Sequence, residues 1–321
     1  MLAKWRKRPT PDPAPEPLEP VDQMLRRLDW TVLRPIALRL GGDRPSKARG
    51  TGLDLAAIRE YQPGDDVRLL DWGATARTGK PHVRQSYAER AVDAWLLIDV
   101  SPSFEWGTAR RTKRKHAQEL VAGIAQVLGR HNSRVGALLF AERPLDVLPP
   151  ATGRHHLLRL LARLREVPRR SEHGRTDLGA ALSLARNVIR RPSVIVIVSD
   201  LLVEDGWASA IGKLTAQHEV VVVRVTDPRE MALPDVGMVA LEDPETGEQV
   251  WVDTADRRLR ERFAEAARNQ AERIDRLLAA HGVRRVVAST DADLLPPLLE
   301  LLDRRWVVAA RRQASYQPRP A

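Results

Sequence analysis

The hydrophobic residues of this chain are grouped in short continuous runs that alternate with stretches of helical periodicity. Strands are predicted over residues 94–98, 135–140, 194–198, 220–225 and 283–288, and uninterrupted apolar runs cover 94–98, 194–198 and 220–223. Runs of Val, Ile and Leu without alternating polar residues are typical of strands buried on both faces of a sheet. All of them are far shorter than the roughly 20 residues that a helix needs to cross a bilayer.

The stretches between these runs predict amphipathic helices, because their apolar residues recur at helical spacing. The predicted helices cover residues 110–131, 153–167, 176–191, 207–217, 257–281 and 294–304. A short edge strand is predicted over residues 144–148 and a hairpin over residues 238–252. Strands that alternate with helices in this way predict an α/β fold, with a doubly wound, mostly parallel sheet flanked by helices. In such a sheet, ligands bind beyond the carboxyl ends of the strands, where the strand order reverses.

Proline content and the first apolar run divide the chain into four parts. Residues 1–20 carry prolines at nearly alternate positions in their second half and predict a disordered, extended tail. Residues 21–92 form an N-terminal segment, residues 93–305 form the sheet domain, and residues 306–321 form a C-terminal tail.

Composition narrows the classes of function. The 321 residues include no cysteine, which excludes disulfides, iron–sulfur clusters and cysteine-built zinc sites. The net charge of +10 is spread over every segment and accompanied by 42 acidic residues, without a basic and aromatic ribbon that would stack bases. Nucleic-acid binding is therefore the weaker interpretation of this charge. The N-terminus lacks the apolar centre of a signal peptide, which predicts a cytoplasmic protein.

Hard oxygen donors collect at the ends of two apolar runs. Asp99, Ser101 and Ser103 follow the first run at alternate positions, Asp200 follows the run over residues 194–198, and Thr176 opens a predicted helix between them. A parallel sheet can bring these loops together at one edge. Carboxylate and hydroxyl oxygens are ligands that Mg²⁺ prefers. Taken singly, each residue also has a local interpretation as part of a turn or a helix cap.

A second group of polar residues surrounds Pro63-Gly64, which predicts the central pair of a type II turn. Its dense, oppositely charged side chains predict either ion pairs that hold the turn or a surface that binds a partner. The partner-binding candidates are Arg59, Asp65, Asp66, Arg68, Asp71 and Arg77.

The order Asp-x-Ser-x-Ser, then Thr, then Asp resembles the metal-ion-dependent adhesion site of von Willebrand factor A domains. The preceding stretches, Tyr61-Gln-Pro-Gly-Asp-Asp-Val-Arg-Leu-Leu-Asp-Trp and Ala76-Arg-Thr-Gly-Lys, look like the domain-of-unknown-function fifty-eight family, bacterial proteins associated with MoxR-type AAA+ ATPases. The resemblance covers about residues 45–305. It implies a von Willebrand factor A-like domain preceded by a β-rich, family-specific segment.

The resemblance also implies a function. Ser101, Ser103 and Thr176 would contact Mg²⁺, or Mn²⁺, directly, while Asp99 and Asp200 would act mainly through water. An acidic residue of a partner would take the open coordination position, and a MoxR-type AAA+ ATPase is the expected partner. These implications predict a non-enzymatic adaptor that couples such an ATPase to an unknown client protein. Many relatives carry membrane helices ahead of this region; this sequence shows none, so their envelope location is not carried over.

Two other classes of function remain open at this point. A Mg²⁺-dependent, phosphatase-like hydrolase also places an aspartate after an apolar strand, but it needs a second carboxylate two residues later, where this chain has Ser101. A basic nucleic-acid-binding protein would account for the net charge.

Overall fold

The computed structural model describes residues 4–6, 21–28, 55–63, 65–86, 93–107, 110–130, 133–167, 175–203 and 206–301. Its helices and strands are, in chain order, β1 (Lys4–Arg6), α1 (Val21–Leu28), β2 (Leu55–Glu60), α2 (Trp72–Thr78), β3 (His82–Ser86), β4 (Asp93–Asp99), α3 (Lys113–Arg130), β5 (Arg134–Phe140), β6 (Pro144–Ala151), α4 (Arg154–Glu166), α5 (Leu178–Val188), β7 (Val194–Ser199), α6 (Trp207–Thr215), β8 (Glu219–Thr226), α7 (Pro228–Met231), β9 (Met238–Glu242), β10 (Gln249–Asp253), α8 (Arg257–Ala280), β11 (Arg284–Ser289) and α9 (Leu295–Leu301). Two short 3₁₀ helices cover Val67–Leu69 and Pro102–Glu105.

The main sheet has six strands in the order β11-β8-β7-β4-β5-β6. Every neighbouring pair is parallel except β5 and β6, which run antiparallel. Strand β6 tolerates its prolines because it lies at the sheet edge. The predicted α/β fold with a mostly parallel sheet is confirmed. From β4 the chain proceeds to β5 and β6 on one side and later to β7, β8 and β11 on the other, so the strand order reverses between β4 and β7.

Both faces of the sheet are covered, as the continuous apolar runs require. Leu96 and Ile98 of β4 pack into a cluster that includes residues of α1, α3, α4 and α9. Trp95 and Leu97 point to the other face, where residues of α5, α6 and α8 pack. Leu96, Leu97 and Ile98 are completely buried, which contributes roughly 1.5–3 kcal/mol for each side chain. This burial fixes the register that brings the ends of β4 and β7 level.

The chain forms two compact units. Residues 43–91 make the smaller unit, which contains the antiparallel pair β2–β3, and residues 1–42 and 92–321 make the larger one. Helix α1 packs on α3 and α4 and belongs to the larger unit, so the predicted segment of residues 21–92 includes parts of both. Its boundaries as a domain stay a prediction.

The ends of the chain are described only in part. Within the predicted tail of residues 1–20, Lys4–Arg6 forms β1, which pairs antiparallel with β9. The remainder of that tail and the predicted tail of residues 306–321 lie outside the described residues. No helix in the described part of the chain has both the length and the apolar character to cross a membrane.

Candidate metal centre

Strands β4 and β7 place Asp99 and Asp200 at the point where the strand order reverses. The two strands run parallel with Ile98 opposite Val198, so their polar ends emerge at the same edge. The Ser199 hydroxyl donates to Asp99 Oδ2 over 2.8 Å and accepts the Leu201 N–H at 3.1 Å. Leu201 has a φ of 57°, a left-handed conformation that costs a non-glycine residue about 1–3 kcal/mol. The Ser199 hydroxyl thus connects both loops.

Asp99 is a buried carboxylate of the centre. Its Oδ1 atom accepts the Ser101 N–H at 3.0 Å, and its side chain is only 2% exposed. Burial, and then the negative charge of Asp200, raise the pKa of Asp99 to about 7, although hydrogen bonds from Ser101 and Ser199 oppose the shift. Among the described residues, no Lys, Arg or His side chain forms an ion pair with Asp99. It is therefore a buried carboxylate compensated only by neutral donors.

Two serine hydroxyls stand between the carboxylates. Ser101 precedes the 3₁₀ helix Pro102–Glu105, whose tight turn brings the side chains of Ser101 and Ser103 together with an Oγ–Oγ distance of 2.9 Å. The Ser103 hydroxyl donates to Asp200 Oδ2 over 3.3 Å. The other oxygen, Asp200 Oδ1, accepts the Leu202 N–H at 3.1 Å. Four of the five predicted ligands are thus joined by hydrogen bonds, directly or through Ser199.

Thr176 faces the same cavity but bonds elsewhere. Asp177, rather than Thr176, caps α5 by accepting the Ala180 N–H at 2.8 Å, which leaves the Thr176 side chain free of the capping role. Its hydroxyl instead donates to Glu245 Oε1 over 2.9 Å. Thr176, Ser103 and Asp200 all line a cavity of about 1230 Å³. Asp99 and Ser101 are buried and are not part of its lining.

Lys113, at the start of α3, is a member of the centre that sequence reasoning missed. Its Nζ atom lies 2.7 Å from Asp200 Oδ2 and also pairs with Glu230. The ammonium lies 5.8 Å and 5.7 Å from the ring centroids of Phe104 and Trp106, and the side chain is 1% exposed. Burial alone would lower the pKa of Lys113, but the charges of Asp200 and Glu230 outweigh it and raise the pKa. Lys113 therefore stays a cation.

The donor set relies on hydroxyls as much as on carboxylates. In the part of the chain that the structure describes, no group of three or more His, Cys, Asp or Glu side chains is placed to hold a metal ion. Ser101, Ser103 and Thr176 supply neutral oxygens, which a small hard cation accepts as ligands. Asp200, which would hold a metal mainly through water, also pairs with the ammonium of Lys113.

The charged turn of the smaller unit is organised by local contacts. Asp66 and Asp71 cap the 3₁₀ helix and α2 by accepting the backbone N–H groups of Arg68 and Ala74, and Asp65 accepts the Gln62 N–H at 2.8 Å. Arg68 and Arg77 lie at the surface. Gly64 and the side chain of Arg59 lie outside the described residues, so the turn type stays a prediction, as does the partner surface.

Fold and centre together define an α/β protein with a site of hydroxyls and carboxylates at the switch point of its sheet. Residues 57–273 match the family described as "Protein of unknown function DUF58". The chain is also 37% identical over 290 residues, 90% of each sequence, to the uncharacterized protein Rv1480 of Mycobacterium tuberculosis. The chain belongs to the DUF58 family, which confirms the resemblance drawn from its motifs.

Two solved structures are similar in fold. The conserved hypothetical protein BatB of Bacteroides thetaiotaomicron has a TM-score of 0.46 and 17% identity, over 69% of this chain and 100% of that one. The SpRpn10 VWA domain has a TM-score of 0.40 and 15% identity, over 66% of this chain and 96% of that one. Similarity at this level concerns the fold alone.

Proposed function

We propose that this chain is a non-enzymatic adaptor that binds an acidic residue of a partner protein through a divalent ion, Mg²⁺ or Mn²⁺. Ser101, Ser103 and Thr176 would hold the ion directly, and Asp99 and Asp200 would hold it mainly through water. The bound ion would supply the positive charge that attracts the partner's carboxylate. We further propose that the partner is a MoxR-type AAA+ ATPase, which acts with this chain on a client protein.

The observation that carries the proposal is the chain of hydrogen bonds that joins Asp99, Ser101, Ser103 and Asp200. The contacts of 2.9 Å and 3.3 Å collect oxygen donors of the type that Mg²⁺ prefers. Asp99 supplies a second reason, because a carboxylate that is 2% exposed and lacks a cationic partner among the described residues is costly to ionise. A divalent cation would compensate it.

The same contacts favour binding over catalysis. Asp99 is buried outside the cavity lining, and both of its carboxylate oxygens accept hydrogen bonds, from Ser101 and Ser199. A nucleophilic aspartate needs an oxygen that can reach the substrate. The choice of a MoxR-type ATPase as partner rests on the association of the DUF58 family with such enzymes rather than on any contact within this chain.

The test is capture of a purified MoxR-type ATPase by the immobilised full chain, with Mg²⁺ and with a chelator. Ser103→Ala removes one hydroxyl of the site, and Ser183→Ala removes a hydroxyl that only donates to the Gly179 carbonyl within α5. We expect Mg²⁺-dependent capture by the wild type and Ser183→Ala. Chelator or Ser103→Ala should weaken it about tenfold or more, the range for loss of a supporting contact at a metal site. Equal capture under all these conditions would show that the metal has no part in binding. Absence of capture by the wild type would show that the ATPase is not the partner.

A further inference from the structure

The turn between β9 and β10 carries a carboxylate into the candidate centre. Glu245 Oε1 accepts hydrogen bonds from the Thr176 hydroxyl at 2.9 Å and from the Thr176 N–H at 3.4 Å. Sixty-nine residues separate the two side chains in sequence. Glu245 also lines the cavity that Ser103, Thr176 and Asp200 share. Among the described acidic residues of this hairpin, Glu245 alone bonds the hydroxyl of a proposed metal ligand.

The hairpin holds this carboxylate in place. Gly247 N–H donates to the Asp243 carbonyl at 2.8 Å, and Asp243 N–H donates to the Glu248 carbonyl at 2.9 Å. The Asp243 side chain accepts the Glu245 N–H at 2.9 Å, which directs the residue within the turn. A turn tied by three hydrogen bonds presents its side chain with little conformational freedom left to lose.

The charges around Glu245 match a site for a cation. Asp200 and Asp243 line the same cavity as Glu245, and the Lys113 ammonium of that lining is paired with Asp200 and Glu230. No Lys, Arg or His of the described residues forms an ion pair with Glu245. The fold therefore places the Glu245 carboxylate in the same cavity as Asp200, where it bonds the Thr176 hydroxyl.

We infer that Glu245 is the chain's own acidic ligand for this centre and occupies the position that the proposed function assigns to the partner's carboxylate. The inference rests on that proposed function. In the isolated chain, Glu245 helps to hold the ion and closes the site. A partner binds by displacing the turn Asp243–Gly247 from Thr176, so loss of Glu245 weakens binding of the metal alone and opens the site to an external carboxylate.

The test uses Mn²⁺ alone as the probe, with the full chain. Electron paramagnetic resonance measures free Mn²⁺, and water-proton relaxation measures how much water the bound ion contacts. Glu245→Gln is nearly isosteric, and its amide oxygen can still accept the Thr176 hydrogen bonds, so the fold is retained. Glu248→Gln makes the same charge change on the same hairpin, where Glu248 lines the cavity without bonding Thr176.

Glu245→Gln should weaken Mn²⁺ binding about tenfold or more and raise the relaxation per bound ion, because water replaces a carboxylate. Glu248→Gln should match the wild type in both measurements. Equal affinity and relaxation in the wild type and Glu245→Gln would overturn the inference while leaving a metal site in place. Equal weakening in both variants would also overturn it, since general charge would then be the cause. Absence of Mn²⁺ binding by the wild type would overturn both this inference and the metal in the proposed function.

Discussion

Lys113→Met should destabilise the larger unit strongly, because it removes the ammonium that compensates two buried carboxylates. Lys113 is 1% exposed, and its partners Asp200 and Glu230 are 2% and 5% exposed. Methionine fills a similar volume and can pack against Phe104 and Trp106, so the main loss is the charge. Removing one partner of a buried ion pair costs about 3–5 kcal/mol, since an uncompensated charge is left behind.

The assay is equilibrium unfolding in urea, followed by the fluorescence of tryptophans such as Trp95 and Trp207, which are buried in the larger unit. With a denaturant slope of about 3 kcal/mol/M, the expected loss lowers the urea midpoint by about 1–1.7 M. Lys213→Met, at an exposed position in the last turn of α6, is the matched control and should change the free energy of unfolding by less than about 0.5 kcal/mol.

Lys113→Met should also differ from the wild type in its response to metal. Asp200 would have no ammonium partner in the variant, so Mg²⁺ should stabilise Lys113→Met more than it stabilises the wild type. A Lys113→Met midpoint equal to that of the wild type in the absence of metal would refute the argument, because it would mean that the ammonium compensates neither carboxylate.

Two further predictions concern residues away from the candidate centre. His116 is completely buried without a hydrogen-bond partner among the described residues, and burial, with the charge of Arg111 and against that of Asp291, lowers its pKa from 6.5 to about 3. Between these two pKa values only the unfolded state takes up a proton. Acidification from pH 7 to pH 5 should therefore lower the free energy of unfolding of the wild type by about 2 kcal/mol more than that of His116→Leu, as measured in urea. Parallel pH profiles of the two proteins would contradict this. Asp71 caps α2 by accepting the Ala74 N–H at 2.9 Å. Asp71→Ala should therefore destabilise the smaller unit by about 1 kcal/mol, whereas Asp71→Asn, which can also cap, should not. Hydrogen-exchange protection of α2 measures this, and an equal loss in both variants would show that the charge of Asp71 matters rather than its capping bond.

The strands and the ends that carry Asp99 and Asp200 could be predicted because their signals are local. An apolar run with a polar terminus needs no knowledge of distant residues, and parallel pairing then brings two such termini level. The first residues of the helices were predicted less accurately, because the contacts that fix a helix start can come from distant residues. The helix predicted over residues 110–131 begins at Lys113, whose N–H donates to the Trp106 carbonyl at 2.8 Å and whose side chain bonds Asp200.

The other members of the centre depend on contacts that no local pattern encodes. Lys113 lies within a run of basic residues, Arg110 to Lys115 apart from Thr112, that is typical of a surface, yet its partner Asp200 is 87 residues away. Glu245 belongs to a hairpin turn whose Asp, Pro and Gly residues explain the turn without any role for the glutamate. Only the packing of the hairpin beside Thr176 makes that side chain part of the site. The sequence did contain one indication, since three hydroxyls and two aspartates do not fill all the ligand positions of a divalent ion and a further carboxylate could be expected.

The two kinds of cation at this centre would have different tasks. Lys113 is covalently part of the chain and compensates Asp200 and Glu230 whether or not a metal is bound. Asp99 has only neutral donors among the described residues, and its burial and the charge of Asp200 raise its pKa to about 7, so its ionised form is where a bound ion would contribute. Asp200 and Glu230 are therefore compensated without the ion. A site that folds without its metal can bind and release it, and in the proposed function this allows the ion to respond to a partner's carboxylate rather than serve as a permanent structural element.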